Sequence, residues 1–507
     1  MSGSDLADRV SEVLDVDAAT FQSNVSDEAD VIREEIAAGT FDNPQAIVGL
    51  EYEFYAVNEE GALARLPRRL LEYVGFEKEL GLHNAELTTT PDPLNRPGVV
   101  AQEAIVESRL EAAKTPMDAE GLTLVSDGLW TIPPAGETTT EYLSDSVVQD
   151  GVRLSTNMSA SVRYHAMTNA DDSVTGRVEA PNVSLSADTV MPESLITSIQ
   201  PHYQVPQADD LPEYFKYAIR IAGPLLALGV NSPFFPPDLY DDVDPATILD
   251  EGWMENRIAV FESVLNEPGT YEKVRFPEDV STVEEAIENI AEDTVMVPMP
   301  VEETGRFDDR FAHFRRKHGT FWRWVRPVFD GASRSAANAR IEFRPLSAQP
   351  TVRDSVAFLA TYAGLLERMR QGHHPLFYLD WREAKANFYN AMRDGLDADL
   401  TYITADDRQT SDHEEMYVDL FEEARAGLVS RGFTEDEAAT YLWPLRRRAR
   451  HRITPASWKR DRVRSNLDDG MSFADAVVDM QRSYFAKQRE TLLTGTFADW
   501  VEEPGDL

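Results

Sequence analysis

The stretch that decides the fold lies at residues 47–55, which read Ile-Val-Gly-Leu-Glu-Tyr-Glu-Phe-Tyr. Polar and apolar side chains alternate along it and predict a β-strand over residues 46–57. Residues i and i+2 of a strand point to the same face, so Glu51 and Glu53 project together, while Leu50, Tyr52 and Phe54 face the other way. Two like charges side by side repel each other, whereas divalent cations prefer carboxylate oxygens as ligands. The pattern favours a metal site over the alternative, an exposed strand face in an acid-rich chain.

A second charged stretch, at residues 340–344, reads Arg-Ile-Glu-Phe-Arg and predicts a strand over residues 338–346. The same alternation puts the Glu342 carboxylate between two guanidiniums on one face. That arrangement suits a metal-bound phosphate better than a bare ion pair, because a buried arginine needs a matched anion. Arg334 lies just upstream, where a salt bridge to one of the many carboxylates is the serious alternative.

Four further polar residues are candidates by position. Glu86 lies in a predicted strand, and Glu79 precedes it in the chain. His202 and Gln204 are two residues apart in a predicted strand at residues 195–205, so they share one face. Taken singly, each has an ordinary alternative: a solvated carboxylate for the glutamates, and a hydrogen-bonded core residue for the histidine.

The composition narrows the class of protein. The chain has 507 residues, 42% of them hydrophobic, so it can bury a substantial core. Its formal net charge is −41, and the acidic residues are spread over the whole length. An even acidic coat is typical of proteins that stay soluble in high salt, as in halophiles, and it argues against nucleic-acid binding, which needs a basic surface.

Two absences point to a cellular location and exclude some chemistry. The chain contains no cysteine, which excludes disulfides, a thiol nucleophile and cysteine-bound zinc. Neither a signal peptide nor a run of about 18 apolar residues is visible. We therefore expect a soluble cytoplasmic protein without a membrane-spanning segment.

The order of predicted elements divides the chain into three parts. Residues 1–44 are expected to form an acidic helical segment, with helix over residues 4–40. Residues 45–372 are expected to form a catalytic domain and residues 373–507 a helical region, an order that favours the α+β class. A basic cluster between residues 446 and 464 stands out from the acidic background. It indicates either a helix docked on an acidic surface or subunit, or an anion contact.

Several common nucleotide and hydrolase motifs do not occur in the sequence. There is no G-x-x-x-x-G-K-[ST], no G-x-G-x-x-G after a strand, no H-E-x-x-H and no G-x-S-x-G. If the protein uses ATP, it does so without a P-loop.

Taken in order, five segments resemble the glutamate–cysteine ligase family, in particular its bacterial and archaeal carboxylate–amine ligase branch. The segments are Gly49-Leu50-Glu51-Tyr52-Glu53-Phe54, Ala85-Glu86-Leu87-Thr88-Thr89, His202-Tyr203-Gln204-Val205, Leu225-Leu226-Ala227-Leu228-Gly229-Val230-Asn231-Ser232-Pro233-Phe234 and Arg340-Ile341-Glu342-Phe343-Arg344-Pro345-Leu346-Ser347-Ala348-Gln349-Pro350. The resemblance covers residues 45–370. One departure is visible: many relatives have His-x-His where this chain has His202 and Gln204.

The resemblance implies a fold and a set of site residues. The fold is the glutamine synthetase-like catalytic fold, a curved antiparallel sheet whose concave face carries the metals, with helices packed behind it. Arg344 would hold the transferring phosphate, and Gln204 is a second cofactor-binding candidate. Arg340 and Arg334 complete the catalytic candidates. The implied metal ligands are Glu51, Glu53, Glu79, Glu86, His202 and Glu342.

The implied activity is an ATP- and Mg²⁺-dependent ligation of a carboxylate to an amine through an acyl phosphate, most directly of glutamate to cysteine. No protein nucleophile is needed, which agrees with the absence of cysteine. A different amine acceptor is the nearest alternative. A metal- or nucleotide-binding relative without turnover and a halophilic structural or assembly protein are the others. Assembly into a homo-oligomer is compatible with the sequence.

Overall fold

An antiparallel sheet built on one long central strand organises the structure, a computed structural model that describes residues 3–170, 176–266 and 272–501. In chain order, the strands are β1 Ile47–Asn58, β2 Glu77–Lys78, β3 Asn84–Thr88, β4 Asp92–Pro93, β5 Leu122–Val125, β6 Ser146–Gln149, β7 Val152–Ser155, β8 Gly176–Ala180, β9 Val183–Ala187, β10 Ile199–Gln204, β11 Val325–Asp330, β12 Asn338–Phe343, β13 Tyr402–Ile403 and β14 Gln409–Thr410.

The main sheet has eight strands, in the order β11-β12-β10-β1-β3-β2, with β4 and β5 also paired to β1. All of its pairings are antiparallel. The strand β1, the longest, pairs with four others and is the centre of the sheet. The strands predicted around residues 46–57 and 338–346 are thus confirmed, and β11, which the sequence did not predict, completes one edge.

Helices make up most of the rest of the molecule. In chain order, the α-helices of the described residues are α1 Gly3–Leu14, α2 Ala18–Ala37, α3 Arg68–Val74, α4 Arg96–Asp118, α5 Thr139–Ser144, α6 Val162–Asn169, α7 Leu211–Gly229, α8 Pro245–Glu251, α9 Asn256–Leu265, α10 Val283–Ala291, α11 Ala312–His318, α12 Val352–Gly372, α13 Trp381–Asp394, α14 His413–Ser430, α15 Glu435–His451, α16 Pro455–Asp468 and α17 Phe473–Thr491. None of the helices in these residues has the length and apolar character needed to cross a membrane.

The two faces of the sheet differ in character. On one face, Tyr203 of β10 donates its hydroxyl to Glu367 of α12 at 2.8 Å. On the same face, the Phe343 ring lies 4.6 Å from the ring of Tyr362 of α12. All these side chains are buried, and each large aromatic removed from water contributes roughly 1.5–3 kcal/mol. Because side chains alternate along a strand, the polar residues of the same strands project to the opposite face.

The N-terminal part forms two helices where the sequence predicted one over residues 4–40. The break comes at Asp17, whose carboxylate accepts a hydrogen bond from the Thr20 backbone N–H at 2.8 Å and begins α2. An aspartate at this position satisfies a backbone donor that the first turn leaves unpaired. The prediction missed this cap because the amphipathic pattern continues across it.

The region after residue 372 is mostly helical, as predicted, with the small β13–β14 hairpin as its only described strands. Helices α13 to α15 and the start of α16 contribute to the same hydrophobic core as the sheet, which includes residues from Ala7 to Ala456, whereas the buried residues of α17 belong to two smaller clusters. Two cations of the basic cluster point inward: Arg448 pairs with Asp354 at 2.8 Å, and Lys459 pairs with Asp127. The division of the chain at residues 44 and 372 stays a prediction.

Candidate active site

The register of the sheet gathers the polar candidates on one face. Glu53 of β1 lies directly opposite Glu86 of β3. His202 of β10 lies opposite Gly49 on one side and Glu342 of β12 on the other. Directly paired residues of an antiparallel sheet share a face. The polar residues of this face include Glu51, Glu53, Glu86, Gln200, His202, Gln204, Arg326, Arg340 and Glu342.

One side of this face is acidic. We call it the acidic half, and it comprises Glu51, Glu53, Glu79, Glu86 and Glu193. Burial, together with the charge of Glu79, raises the pKa of Glu53 to about 7. Burial raises the pKa of Glu86 well above its usual value, and the charges of Glu51, Glu79 and Glu53 raise it further. Since the charges that act on Glu86 are other carboxylates, the acidic half has a strong local preference for a cation.

Glu53 is held firmly within the acidic half. Its Oε2 accepts a hydrogen bond from the Ser198 backbone N–H at 2.7 Å, and its Oε1 accepts one from Gln200 Nε2 at 3.0 Å. Ser198 also accepts from the Glu53 backbone N–H at 3.0 Å. These contacts fix the direction of the carboxylate, so Glu53 is presented to the cleft in one orientation.

The other side of the face is basic. We call it the basic half, and it comprises Arg257, Arg326, Arg340 and Arg344. Arg326 Nε and Arg344 Nη1 both donate to Glu342 Oε1, at 2.9 and 2.6 Å. Burial alone would raise the pKa of Glu342, but the charges of Arg326 and Arg344 outweigh it and hold the pKa well below its usual range. More positive charge is present than Glu342 alone neutralises, which suits an anion such as a phosphate.

His202 lies between the two halves. Its Nδ1 accepts a hydrogen bond from Arg340 Nε at 3.2 Å. Its Nε2 lies 3.2 Å from Glu51 Oε1 without the geometry of a hydrogen bond. Arg340 in turn pairs with Asp330 at 2.9 Å. A neutral imidazole that accepts at Nδ1 carries its proton on Nε2, the nitrogen that faces Glu51, whereas a metal-binding histidine leaves its coordinating nitrogen unprotonated. The role of His202 as a metal ligand therefore stays a prediction.

Several buried polar atoms on this face have no hydrogen-bond partner. They are His202 Nε2, Gln204 Nε2, Arg344 Nε, Arg257 Nε and Glu193 Oε2. Leaving a buried donor or acceptor unpaired costs about 1–3 kcal/mol. Other unpaired buried atoms lie elsewhere in the described residues, among them Tyr362 Oη and Arg368 Nε. The grouping of these five atoms around the acidic and basic residues nevertheless suits a surface that meets a ligand.

The acidic half can hold a divalent cation by its chemistry. Mg²⁺ takes oxygen ligands, chiefly carboxylates, and usually keeps several water molecules. Among residues 3–170, 176–266 and 272–501, no three His, Asp or Glu side chains already form a closed metal-binding arrangement. The donor set therefore fits a cation bound partly through water and substrate better than one enclosed by protein alone.

Two predicted residues lie at the border of the site. Glu79 lines the cleft beside Glu53, and its charge contributes to the raised pKa of Glu86. Arg334 instead lies on a 3₁₀ turn at Arg334–Ala336, where its guanidinium pairs with Glu35 of α2 at 2.6 Å. Its role in catalysis stays a prediction, while the observed contact is the salt bridge given above as the alternative.

Three charged residues of the site escaped the sequence analysis. Arg326 lies on β11, Glu193 on a 3₁₀ turn at Met191–Leu195, and Arg257 in the first turn of α9. Only Arg326 could have been found from the sequence. It lies in the strand Val325–Asp330, where residues two apart share a face, so its side chain could have been assigned to one face of the sheet. The other two come from short elements without periodicity.

Comparison with known families identifies the family of the chain. The model of glutamate–cysteine ligase family 2 matches residues 47–481. The chain belongs to this family. The glutamate–cysteine ligase type of activity predicted from the sequence, that of an ATP-dependent carboxylate–amine ligase, is thereby confirmed.

One solved structure of the comparison supports the fold. The glutamate–cysteine ligase of Francisella tularensis in complex with AMP is similar, with a TM-score of 0.51 and 12% identity over 89% of this chain and 91% of that one. A bifunctional glutathione synthetase from Pasteurella multocida has a TM-score of 0.45 and 13% identity, over 91% of this chain and 55% of that one. No curated protein sequence matches. The predicted α+β class, with a curved antiparallel sheet like that of glutamine synthetase and helices behind it, is confirmed.

The family match extends well past the predicted domain boundary. It continues through residue 481, so it includes α13 to α16 and part of α17. The resemblance seen in the sequence ended near residue 370, because the helices beyond it carry no motif that can be recognised by eye. The C-terminal helices of this ligase are therefore part of what the family shares.

Proposed function

We propose that this ligase joins the γ-carboxylate of glutamate to the amino group of cysteine, using ATP and Mg²⁺. The observation that carries the proposal is the division of one sheet face into an acidic and a basic half that meet at His202. A reaction between a nucleotide triphosphate and a carboxylate needs both, since cations must neutralise phosphate oxygens and fixed donors must orient them.

The acidic half is the proposed cation site. Glu51, Glu53 and Glu86 would supply oxygen ligands, with His202 and Glu342 at its border and Glu79 as a further carboxylate. Bound Mg²⁺ would neutralise negative charge on the phosphates and hold them in line with the attacking oxygen. The hydrogen bonds from Ser198 and Gln200 would keep Glu53 in the orientation it needs.

The basic half is the proposed phosphate site. Arg344 is held by Gln200 Oε1 at 2.8 Å and by Glu342, so its planar guanidinium has a fixed direction. Its Nε remains unpaired and buried. A guanidinium can present two parallel donors to phosphate oxygens, and a donor fixed in advance costs no reorganisation when charge develops. Gln204, whose Nε2 is also unpaired, is proposed as a second contact to nucleotide or substrate.

The amino-acid substrate is proposed to lie in the cleft next to Glu53. This cleft is lined by Arg257 and Arg344 together with Glu79 and Glu193. Burial and the charge of Glu79 raise the pKa of Glu193 to about 8. A cleft lined by both arginines and glutamates suits a zwitterion, with arginine bound to the carboxylate and glutamate to the ammonium group.

The proposed chemistry has two steps. The substrate γ-carboxylate attacks the terminal phosphorus of ATP, which releases ADP and forms an acyl phosphate. The amine then attacks the acyl carbon, releases inorganic phosphate and gives the amide after loss of a proton. The residues of the basic half would orient the phosphoryl group in both steps, and no covalent bond to the protein is made.

The proposal is tested by measuring ADP release from ATP with glutamate, Mg²⁺ and a panel of amines. Release that requires glutamate and is fastest with cysteine is the expected result. Faster release with another amine would keep the ligase and replace the acceptor. Binding of Mg²⁺-ATP without ADP release, with or without glutamate and any of the amines, would indicate a nucleotide-binding relative that has no turnover. Absence of Mg²⁺-ATP binding would instead favour the structural or assembly protein.

We further propose that the protein works in a salt-rich cytoplasm. The protein has a net charge of −41, and its negatively charged side chains repel one another in dilute buffer. Screening shortens the range of that repulsion from about 10 Å at 0.1 M salt to about 3 Å at 1 M. The melting temperature is therefore expected to rise by several degrees between 0.05 M and 2 M KCl. An equal or lower melting temperature at 2 M would remove the halophile interpretation without affecting the ligase proposal.

A further inference from the structure

Lys459 of α16 is fully enclosed, although a lysine is among the residues least often buried. Its ammonium forms an ion pair with Asp127, donates to the Asn231 carbonyl at 2.7 Å and lies 4.5 Å from the ring centre of Tyr484. Asp127 also accepts a hydrogen bond from Gln481 Nε2 of α17 at 2.8 Å. The C-terminal helices therefore reach into the centre of the molecule through these contacts.

The first contact of Lys459 leads to the acidic half. The backbone carbonyl of Asp127 accepts a hydrogen bond from the Thr197 hydroxyl, and Thr197 N–H donates to the Gly128 carbonyl at 3.2 Å. Thr197 lines the substrate cleft and precedes Ser198, whose N–H holds the carboxylate of Glu53. Fixing Asp127 thus fixes the segment that orients Glu53.

The second contact leads to the basic half. Asn231 donates its backbone N–H to Glu255 Oε2 at 2.9 Å. Glu255 also accepts from the hydroxyl of Ser347, at 2.6 Å, three residues after Arg344. Two residues after Glu255, Arg257 donates to the carbonyls of Arg344 and Pro345. The loop that Lys459 holds is therefore connected to the backbone of Arg344.

Stability alone does not account for this arrangement. Replacing a buried ion pair by well-packed neutral side chains of similar volume is often neutral or stabilising, because both charges lose their water on burial. A buried charged pair that joins two loops gives those loops a fixed relative position instead.

We propose that Lys459 is a positioning residue for the ligase reaction: from the C-terminal helices, it fixes the Asp127 and Asn231 loops that orient Glu53 and Arg344. Lys459 does not line the cleft proposed for the amino-acid substrate. The inference rests on the proposed function, since it assigns Lys459 a part in that reaction.

The test compares two paired replacements that each remove a charge pair. Lys459→Met with Asp127→Asn removes the positioning pair without leaving a lone charge. Arg220→Met with Asp279→Asn is the control, because this pair, whose arginine is equally buried, has its other hydrogen bonds to the Leu379 carbonyl and none to the Asp127 or Asn231 loops. The first double variant is expected to lose at least tenfold in kcat and to need at least threefold more Mg²⁺ for half-maximal activity. The control is expected to stay within twofold of the wild type on both measures.

A second measurement, of thermal stability, distinguishes a failure of this inference from a failure of the proposed function. Mg²⁺-ATP raises the melting temperature of a protein that binds it, whether or not turnover occurs. The Lys459/Asp127 variant is expected to lose at least half of that rise while the control keeps it. Equal responses of the two double variants would overturn the positioning role. A wild type that shows the rise but no ligation would instead overturn the proposed function alone.

A milder variant covers the case in which the double replacement does not fold. Thr197→Val removes one hydroxyl, and with it the hydrogen bond to the Asp127 carbonyl, while leaving the ion pair intact. At least a threefold loss of kcat with a larger Mg²⁺ requirement is expected. Wild-type values for both would contradict the connection from Lys459 to Glu53.

Discussion

Glu51→Gln and Glu53→Gln are each expected to abolish ligase turnover while leaving the metal-free protein at least as stable as the wild type. Glutamine keeps the shape of glutamate and removes one negative charge. The loss of turnover should reach about 100-fold or more, because removing one electrostatic contact at a reacting centre typically costs 10²–10³ in kcat. The metal-free melting temperature should hold or rise, since each change relieves repulsion within the acidic half.

Thermal melts with and without Mg²⁺-ATP distinguish a cation-binding role of the two carboxylates from a structural role. The wild type should be stabilised by mass action, and each variant much less. Glu59→Gln is the matched control, because Glu59 is exposed in the turn just after β1 and should change neither measure. A structural role would give the reverse pattern, with a lower metal-free melting temperature and an intact response to Mg²⁺-ATP.

Arg344→Lys has the second largest expected effect, a loss of roughly 10- to 100-fold in kcat with little change in the KM for ATP. Lysine can still pair with Glu342, so the fold should be kept. It cannot supply a planar fork with two fixed donors, which phosphate oxygens recognise. The loss should appear in kcat because the charge on the transferring phosphoryl group changes as the reaction proceeds.

Steady-state kinetics with varied ATP and glutamate check this prediction. Arg68→Lys is a suitable control, because Arg68 pairs with Glu72 on the surface at 2.8 Å, where exchange of one cation for another costs little. Wild-type kcat in Arg344→Lys would place Arg344 in a structural ion pair with Glu342 and remove it from the phosphate site.

The strands that carry the site could be predicted because their alternation is local. The shared face of Glu51 and Glu53 follows directly from the two-residue period of a strand, and so does the shared face of Arg340, Glu342 and Arg344. Glu193 and Arg257 could not be found in this way. They reach the cleft only because a 3₁₀ turn and the first turn of α9 pack against it, and such packing depends on the whole chain.

Ion pairs between residues that are far apart in the chain could not be predicted from the sequence either. The partner of Arg334 is Glu35, which lies 299 residues away along the chain. The inward direction of Arg448 and Lys459 was likewise hidden, because a run of arginines and lysines in an acidic protein does not indicate which of them are buried. The charges were visible in the sequence, but their pairing was set by tertiary structure.

The burial of Arg448 and Lys459 has a consequence for how the protein is made. Their partners, Asp354 and Asp127, are synthesised earlier and stay without their counter-ions until α15 and α16 have left the ribosome. Since a lone charge is costly to bury, the incomplete chain cannot close its core around either aspartate. The catalytic face therefore assembles late in translation, and a nascent chain that stalls before α16 is expected to be a substrate for chaperones or proteases rather than a partly active enzyme.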